Sequence, residues 1–275
     1  MKQIILLFCV IFFYTNNTFA QKNSLDIKSQ AAIVFNTKND HVIYDKNADR
    51  VMPIASITKL MTAMVILDAR LPQNEKITIE KADVDKLKHT TSRLPVGTSY
   101  ARHELLRLAL MSSENRAAAA LGRTYPGGTK AFVNAMNIKA KKIGMLDSRF
   151  VEPTGLSSSN VATARDLAKL VSASNSYSTI REFSTTSQHS VSPGNKRGQL
   201  QYVNSNSLVR NQSWAIDVSK TGYLNEAGRC LVMQANISGQ PVVIVLLNSW
   251  GKNTRIGDAN RVKKWIENNK GRKQA

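Results

Sequence analysis

The sequence predicts an α/β chain of the α+β type: an antiparallel sheet flanked by helices, with a helical lobe inserted into it. Three observations predict it. β-prone runs stand near both ends of the chain, at residues 31–35 and 41–44 and again at 215–218, 230–237 and 242–247. Between them lie segments whose apolar residues recur at helical spacing. The 275 residues, 42% hydrophobic and 21% charged, suffice for a packed domain with a sizeable core and exclude a disordered chain.

The elements follow in order. Lys2, an apolar run over residues 4–14, polar Thr15 to Asn17 and a small residue at Ala20 have the form of a secretory signal peptide over residues 1–20. The remainder, 21–275, reads as one domain. Its sheet lobe takes about 21–80 and 180–275, and its helical lobe about 81–179. Residues 36–40 join the first two strands as a hairpin. Ile57, Leu60, Met61, Met64 and Val65 then mark one face of a helix that Pro72 ends. A helical stretch from His103 is interrupted by polar residues 112–116, resumes over 117–121, and breaks at Tyr125-Pro126-Gly127-Gly128. Further helices are predicted over 129–143 and, capped by Thr163, up to residue 172. Residues 184–198 read as a polar, turn-rich connection. Gly228 and Ser238-Gly239-Gln240-Pro241 separate the last strands. An amphipathic helix over 257–268 carries Val262, Trp265 and Ile266 on one side.

The 38 Lys+Arg outnumber 19 Asp+Glu, a formal net charge of +19. An exported protein this basic is drawn to polyanions such as wall polymers and anionic lipid surfaces. The basic tail over 261–273 is compatible with peripheral surface association, and no transmembrane anchor is expected in the mature chain. Aromatic-interleaved basic motifs are missing, so nucleic acid is not an expected partner. With Cys9 in the leader, the mature chain keeps one thiol, Cys230, in a strand, where it reads as a small buried hydrophobe. His41, His89, His103 and His189 are isolated in sequence, so no metal site is expected.

Three short motifs carry chemistry. Ser56 opens the strongest helix and Lys59 follows one turn on, on the same face, near backbone N–H groups suited to an oxyanion. Alone, that pair describes an N-cap and a surface lysine just as well, and Ser249 to Lys252 repeats the spacing after a strand. Ser113-Glu114-Asn115 lies in the polar break between helical segments. Lys220-Thr221-Gly222 follows a β-prone run, where Gly222 permits close backbone approach. Ser-x-x-Lys, Ser-Asp-Asn and Lys-Thr-Gly, in this order, are the signature of β-lactamases and penicillin-binding proteins.

On these residues the chain resembles the serine-type D-alanyl-D-alanine peptidases, the low-molecular-mass penicillin-binding proteins. The resemblance extends to Pro53 through Thr62, Pro153-Thr154-Gly155-Leu156, and Asn204-Ser205-Asn206-Ser207-Leu208. Residues 110–119, Tyr125-Pro126-Gly127-Gly128 and the short chain after Gly222 look most like the endopeptidase branch. Glu114 stands where the signature has Asp. The resemblance implies a serine β-lactamase/DD-peptidase fold and acyl transfer without a cofactor, on peptidoglycan stem peptides in the periplasm, with β-lactams as covalent inhibitors. It implies Ser56 as nucleophile, Lys59 as a base kept neutral by burial and by the charge of Lys220, and Ser113 as proton relay. Asn115, Lys220, Thr221 and Gly222 would bind substrate, and the Tyr223 amide would share the oxyanion hole with that of Ser56. Carboxypeptidase activity is the alternative. A β-lactamase would need a further carboxylate; Glu152 is the candidate, read here as a solvated loop residue. A non-catalytic wall-binding protein is the rival outside enzymes.

Overall fold

The computed structural model describes residues 25–193 and 198–272. The expected leader at 1–20 lies outside the described residues. In chain order, β1 (Ala31–Asn36) and β2 (His41–Lys46) form the hairpin, and β3 (Met52–Pro53) leads through a 3-10 turn, Ala55–Ile57, into α1 (Thr58–Asp68). β4 (Lys76–Thr78) pairs with β5 (Ser99–Ala101), ahead of α2 (Arg102–Met111), α3 (Asn115–Arg123) and α4 (Gly128–Lys142). β6 (Val161–Ala162) pairs with β3 and precedes α5 (Ala164–Ser174) and α6 (Ser178–Ser184). β7 (Gln188–Val191), β8 (Leu200–Val203) and α7 (Ser207–Arg210) lead to β9 (Ala215–Leu224), β10 (Gly228–Ile237), β11 (Gln240–Ser249) and α8 (Thr254–Arg272).

Both ends of the chain build one antiparallel sheet, in the order β2-β1-β11-β10-β9. β1 inserts beside β11, with Ala31 opposite Leu247 and Val34 opposite Ile244. Strand alternation sorts the side chains to two faces. Ile33, Val232, Val243, Val245 and Leu247 meet the helical lobe. Val34, Leu231, Met233, Ile244 and Leu246 meet Ala259, Val262 and Ile266 of α8. Because both faces are covered, β10 carries the apolar run Cys230 to Met233 and β11 the run Val242 to Leu247, a pattern usual for buried strands.

α1 packs against all of α2, α3, α4, α5 and α6. The predicted single apolar stripe is therefore corrected: Thr58 through Ile66 are buried all round, Lys59 and Thr62 included. Thr62 tolerates this by donating to the Pro153 carbonyl at 2.7 Å. The helix also stops at Asp68, before Pro72, where Arg70 takes a left-handed φ of 51°. Thr163 caps α5 as expected, accepting from the Asp166 amide at 3.0 Å. The supposed connection over 184–198 contains β7, paired with β8. Its residues are mostly polar and partly exposed, so no apolar alternation betrays it.

Candidate active site

Two glycines press on the turn that carries Ser56. Ala55, just before it, has a φ of 47°, a conformation that costs a residue with a side chain of order 1–3 kcal/mol. Gly155 abuts it: a Cβ there would lie 2.0 Å from the Ala55 carbonyl oxygen. On the other side, a Cβ on Gly222 would lie 3.2 Å from the Ser56 amide nitrogen, so β9 runs directly past the turn. Ser56 is part of the 3-10 turn and does not cap α1, whose first turn has no side-chain cap.

Its hydroxyl instead meets Lys59, one turn on. The Lys59 Nζ lies 2.9 Å from Ser56 Oγ, 2.7 Å from Asn115 Oδ1 and 2.6 Å from the Thr154 carbonyl oxygen. Lys59 is fully buried, and burial lowers its pKa to about 8, although the carboxylates of Glu152 and Glu114 pull it back up.

A second lysine–serine pair stands beside the first. Lys220 of β9, 1% exposed, donates to Ser113 Oγ at 2.9 Å and to the Thr221 carbonyl at 2.9 Å. Ser113 sits between α2 and α3 with a φ of 64°, a second strained residue in the site. Burial, and then the positive charge of Lys59, hold the Lys220 pKa well below the usual lysine range. The expected second cause of the Lys59 shift, the charge of Lys220, is thus corrected. Burial lowers Lys59, and the repulsion between the ammoniums lowers Lys220.

Ser56, Lys59 and Asn115 share one hydrogen-bond network, and Ser113 and Lys220 share another. Asn115 also donates from Nδ2 to Thr90 Oγ1 at 3.0 Å. Thr221 Oγ1 pairs with Ser205 Oγ at 2.7 Å. The Tyr223 side chain joins none of these: it is half-exposed, donates to Asn225 Oδ1 and stacks against the Arg229 guanidinium.

No sequence motif singles out Thr154, Ser205 or Thr90 for chemistry. Thr154 and Ser205 stand in runs that resemble the family, yet Thr154 meets Lys59 through a backbone carbonyl, which no residue type reveals. Glu152 is a further correction. It is not a solvated loop carboxylate, because Oε2 accepts from the Thr154 amide and hydroxyl, and Oε1 from the Gly155 and Ser157 amides and Asn160 Nδ2. That carboxylate holds the 152–160 loop against Ala55. Cys230 is fully buried, and burial pushes its thiol up to about 11, as suits an inert core residue.

With this geometry in view, the sequence matches the D-alanyl-D-alanine carboxypeptidase family, peptidase S11, over residues 16–251. The chain belongs to that family. This S11 chain is 48% identical to the D-alanyl-D-alanine endopeptidase of Escherichia coli K12, over 89% of its own length and 79% of the relative's. It is 47% identical to the D-alanyl-D-alanine endopeptidase of Pseudomonas aeruginosa, over 88% and 78%. Among solved structures it superposes on the Streptomyces K15 DD-transpeptidase with a TM-score of 0.81, at 29% identity, covering 87% of this chain and 97% of that one. Penicillin-binding protein D2 of Listeria monocytogenes, in its ampicillin-bound form, gives 0.75 at 30% identity, covering 88% and 98%. The fold is that of the DD-peptidases, and the S11 chain is a serine-type peptidase. No helix among the described residues is long and apolar enough to cross a membrane.

Proposed function

We propose that the chain is a D-alanyl-D-alanine endopeptidase, which opens peptidoglycan stem-peptide cross-links through an acyl-enzyme on Ser56. The observation that carries the mechanism is the set of partners around Lys59. Asn115 Oδ1 and the Thr154 carbonyl only accept hydrogen bonds. A neutral amine therefore spends its two N–H groups on them and turns its lone pair to the third partner, the Ser56 hydroxyl. Burial, by lowering the Lys59 pKa to about 8, brings the neutral amine within reach near neutral pH.

Ser56 Oγ then bonds to the D-alanyl carbonyl carbon as its proton passes to Lys59. The oxyanion is held by the Ser56 and Tyr223 amides; one such donor is worth about 3 kcal/mol. The C–N bond breaks, and the proton held by Lys59 passes through Ser113, which Lys220 orients, to the leaving amine, so that Lys59 is again a free amine. Water attacks the ester, and Lys59 takes its proton and returns one to Ser56. Asn115 Nδ2 leaves Thr90 for the substrate amide, Lys220 and Thr221 hold the substrate's carboxylate, and Gly222 gives its backbone room.

Endopeptidase is preferred over carboxypeptidase because the two relatives near half identity carry that name, whereas a Streptomyces carboxypeptidase is 31% identical. The hydrogen bonds that occupy Glu152 leave it unsuited to activating a deacylating water, so β-lactams act as slowly released covalent inhibitors rather than substrates. The ampicillin-bound form of the Listeria neighbour supports that reading. We place the enzyme in the periplasm as a single domain, 21–275, after loss of the leader, its basic surface drawn to the wall. Chromatography of sacculus digests tests the assignment. Conversion of cross-linked dimers to monomers is expected, and shortening of pentapeptides alone would mark a carboxypeptidase.

A further inference from the structure

Beside the Ser113–Asn115 loop lies a cavity of about 320 Å³, walled by Thr91, Ser92, Arg93, Glu114 and Tyr202. Neither of its charged groups makes an ion pair among the described residues, although Glu114 and Lys59 attract each other at longer range. Glu114 is 8% exposed, yet among the described residues its carboxylate takes a single hydrogen bond, from the Arg116 amide at 3.2 Å, and no cation lies in ion-pair contact. A buried carboxylate so poorly served is costly unless something pairs with it. Tyr202 is 1% exposed, and its hydroxyl has no partner among the described residues. Arg93 lies at the exposed rim, its guanidinium 4.0 Å from the Tyr202 ring centroid and bonded to the Gln201 carbonyl, with no carboxylate partner among the described residues. One cavity thus presents an anion inside and a cation at its mouth, and the two charges do not pair with each other.

We propose that this cavity is a substrate subsite for a zwitterionic head group, an ammonium and a carboxylate on one carbon, as at the free end of a diamino-acid side chain in a stem peptide. The ammonium binds Glu114, and the carboxylate binds Arg93. Position favours substrate over an unrelated ligand, because Ser113 and Asn115 line the same cavity. This assignment rests on the peptidoglycan reading above.

The test uses two penicillins that share an α-aminoadipyl side chain, one with its amine free and one N-acetylated. Second-order acylation of the wild-type chain is expected to favour the free amine by about tenfold. Glu114→Gln is expected to bring that ratio close to one, and Arg93→Ala, at an exposed site, to reduce it severalfold. Calorimetric binding of the same pair to Ser56→Ala reads the subsite without acylation, and there too the zwitterion should bind about tenfold tighter. Equal affinity of Ser56→Ala for the two compounds, or a wild-type ratio that survives both Glu114→Gln and Arg93→Ala, overturns the subsite. Failure of the wild-type chain to be acylated by either compound counts against the acyl-enzyme reading instead, and the binding ratio still decides the subsite.

Discussion

Two stretches of this chain read Ser-x-x-Lys, and only one brings its serine and lysine together. At Ser56 the spacing lies across a 3-10 turn and the start of α1, which puts both side chains on one face and buries the lysine among acceptors. At Ser249 the same spacing runs off the end of β11 through a turn with Gly251 at a φ of 71°. Ser249 is buried but faces Ser29, at 2.7 Å, which in turn donates to Asp258 at 2.5 Å, so it ties the N-terminal segment to α8. Lys252 stays exposed in the turn. The difference teaches that the spacing alone fixes nothing: at Ser56 helical phase aligns the pair and desolvation loosens the lysine's proton, and at Ser249 neither holds.

The comparison breaks first at the lysines. Lys59→Ala should slow acylation by a fluorescent penicillin more than about 10³-fold, and Lys252→Ala should leave it within about twofold. Circular dichroism must show the Lys59 variant folded for that loss to count. Next comes the support of the turn. Gly155→Ala forces a Cβ onto the Ala55 carbonyl, so acylation is expected to fall more than about tenfold, with a lower melting temperature. Substituting Gly251, which meets only Thr254 Oγ1 at 3.1 Å, should leave acylation unchanged.

A milder test is pH. In the proposed mechanism the reactive form of Lys59 is the free amine, whose fraction rises with pH through about 8. Acylation should therefore climb about tenfold between pH 7 and pH 9 and then level off. A rate flat over that range would mean that the amine is already deprotonated or is not the base. The smallest effect is expected at the second serine: Ser249→Ala should cost about 1 kcal/mol of stability, the worth of one buried hydrogen bond, with labelling intact.

The sheet was legible because β1, β10 and β11 advertise it, whether by alternation or by unbroken apolar runs, and Thr163 announced α5 by its capping chemistry. The convergence of Ser56, Lys59, Ser113 and Lys220 followed from three motifs whose spacing and context agree. Other parts left no sequence trace. The Thr154 carbonyl is a backbone atom, the strain at Ala55 and Ser113 is imposed by neighbours distant in sequence, and Glu152 looks like any loop carboxylate until its five donors are seen. α1 was half read: its apolar stripe was visible, but burial of its polar side depends on five other helices.

Mapping the penicilloyl adduct by peptide mass spectrometry addresses the base and nucleophile together. One adduct, on Ser56, is predicted in the wild-type chain, and none in folded Lys59→Ala over the same exposure. An adduct on Ser113, or undiminished modification of Ser56 without Lys59, would contradict a mechanism in which the buried amine takes the serine proton.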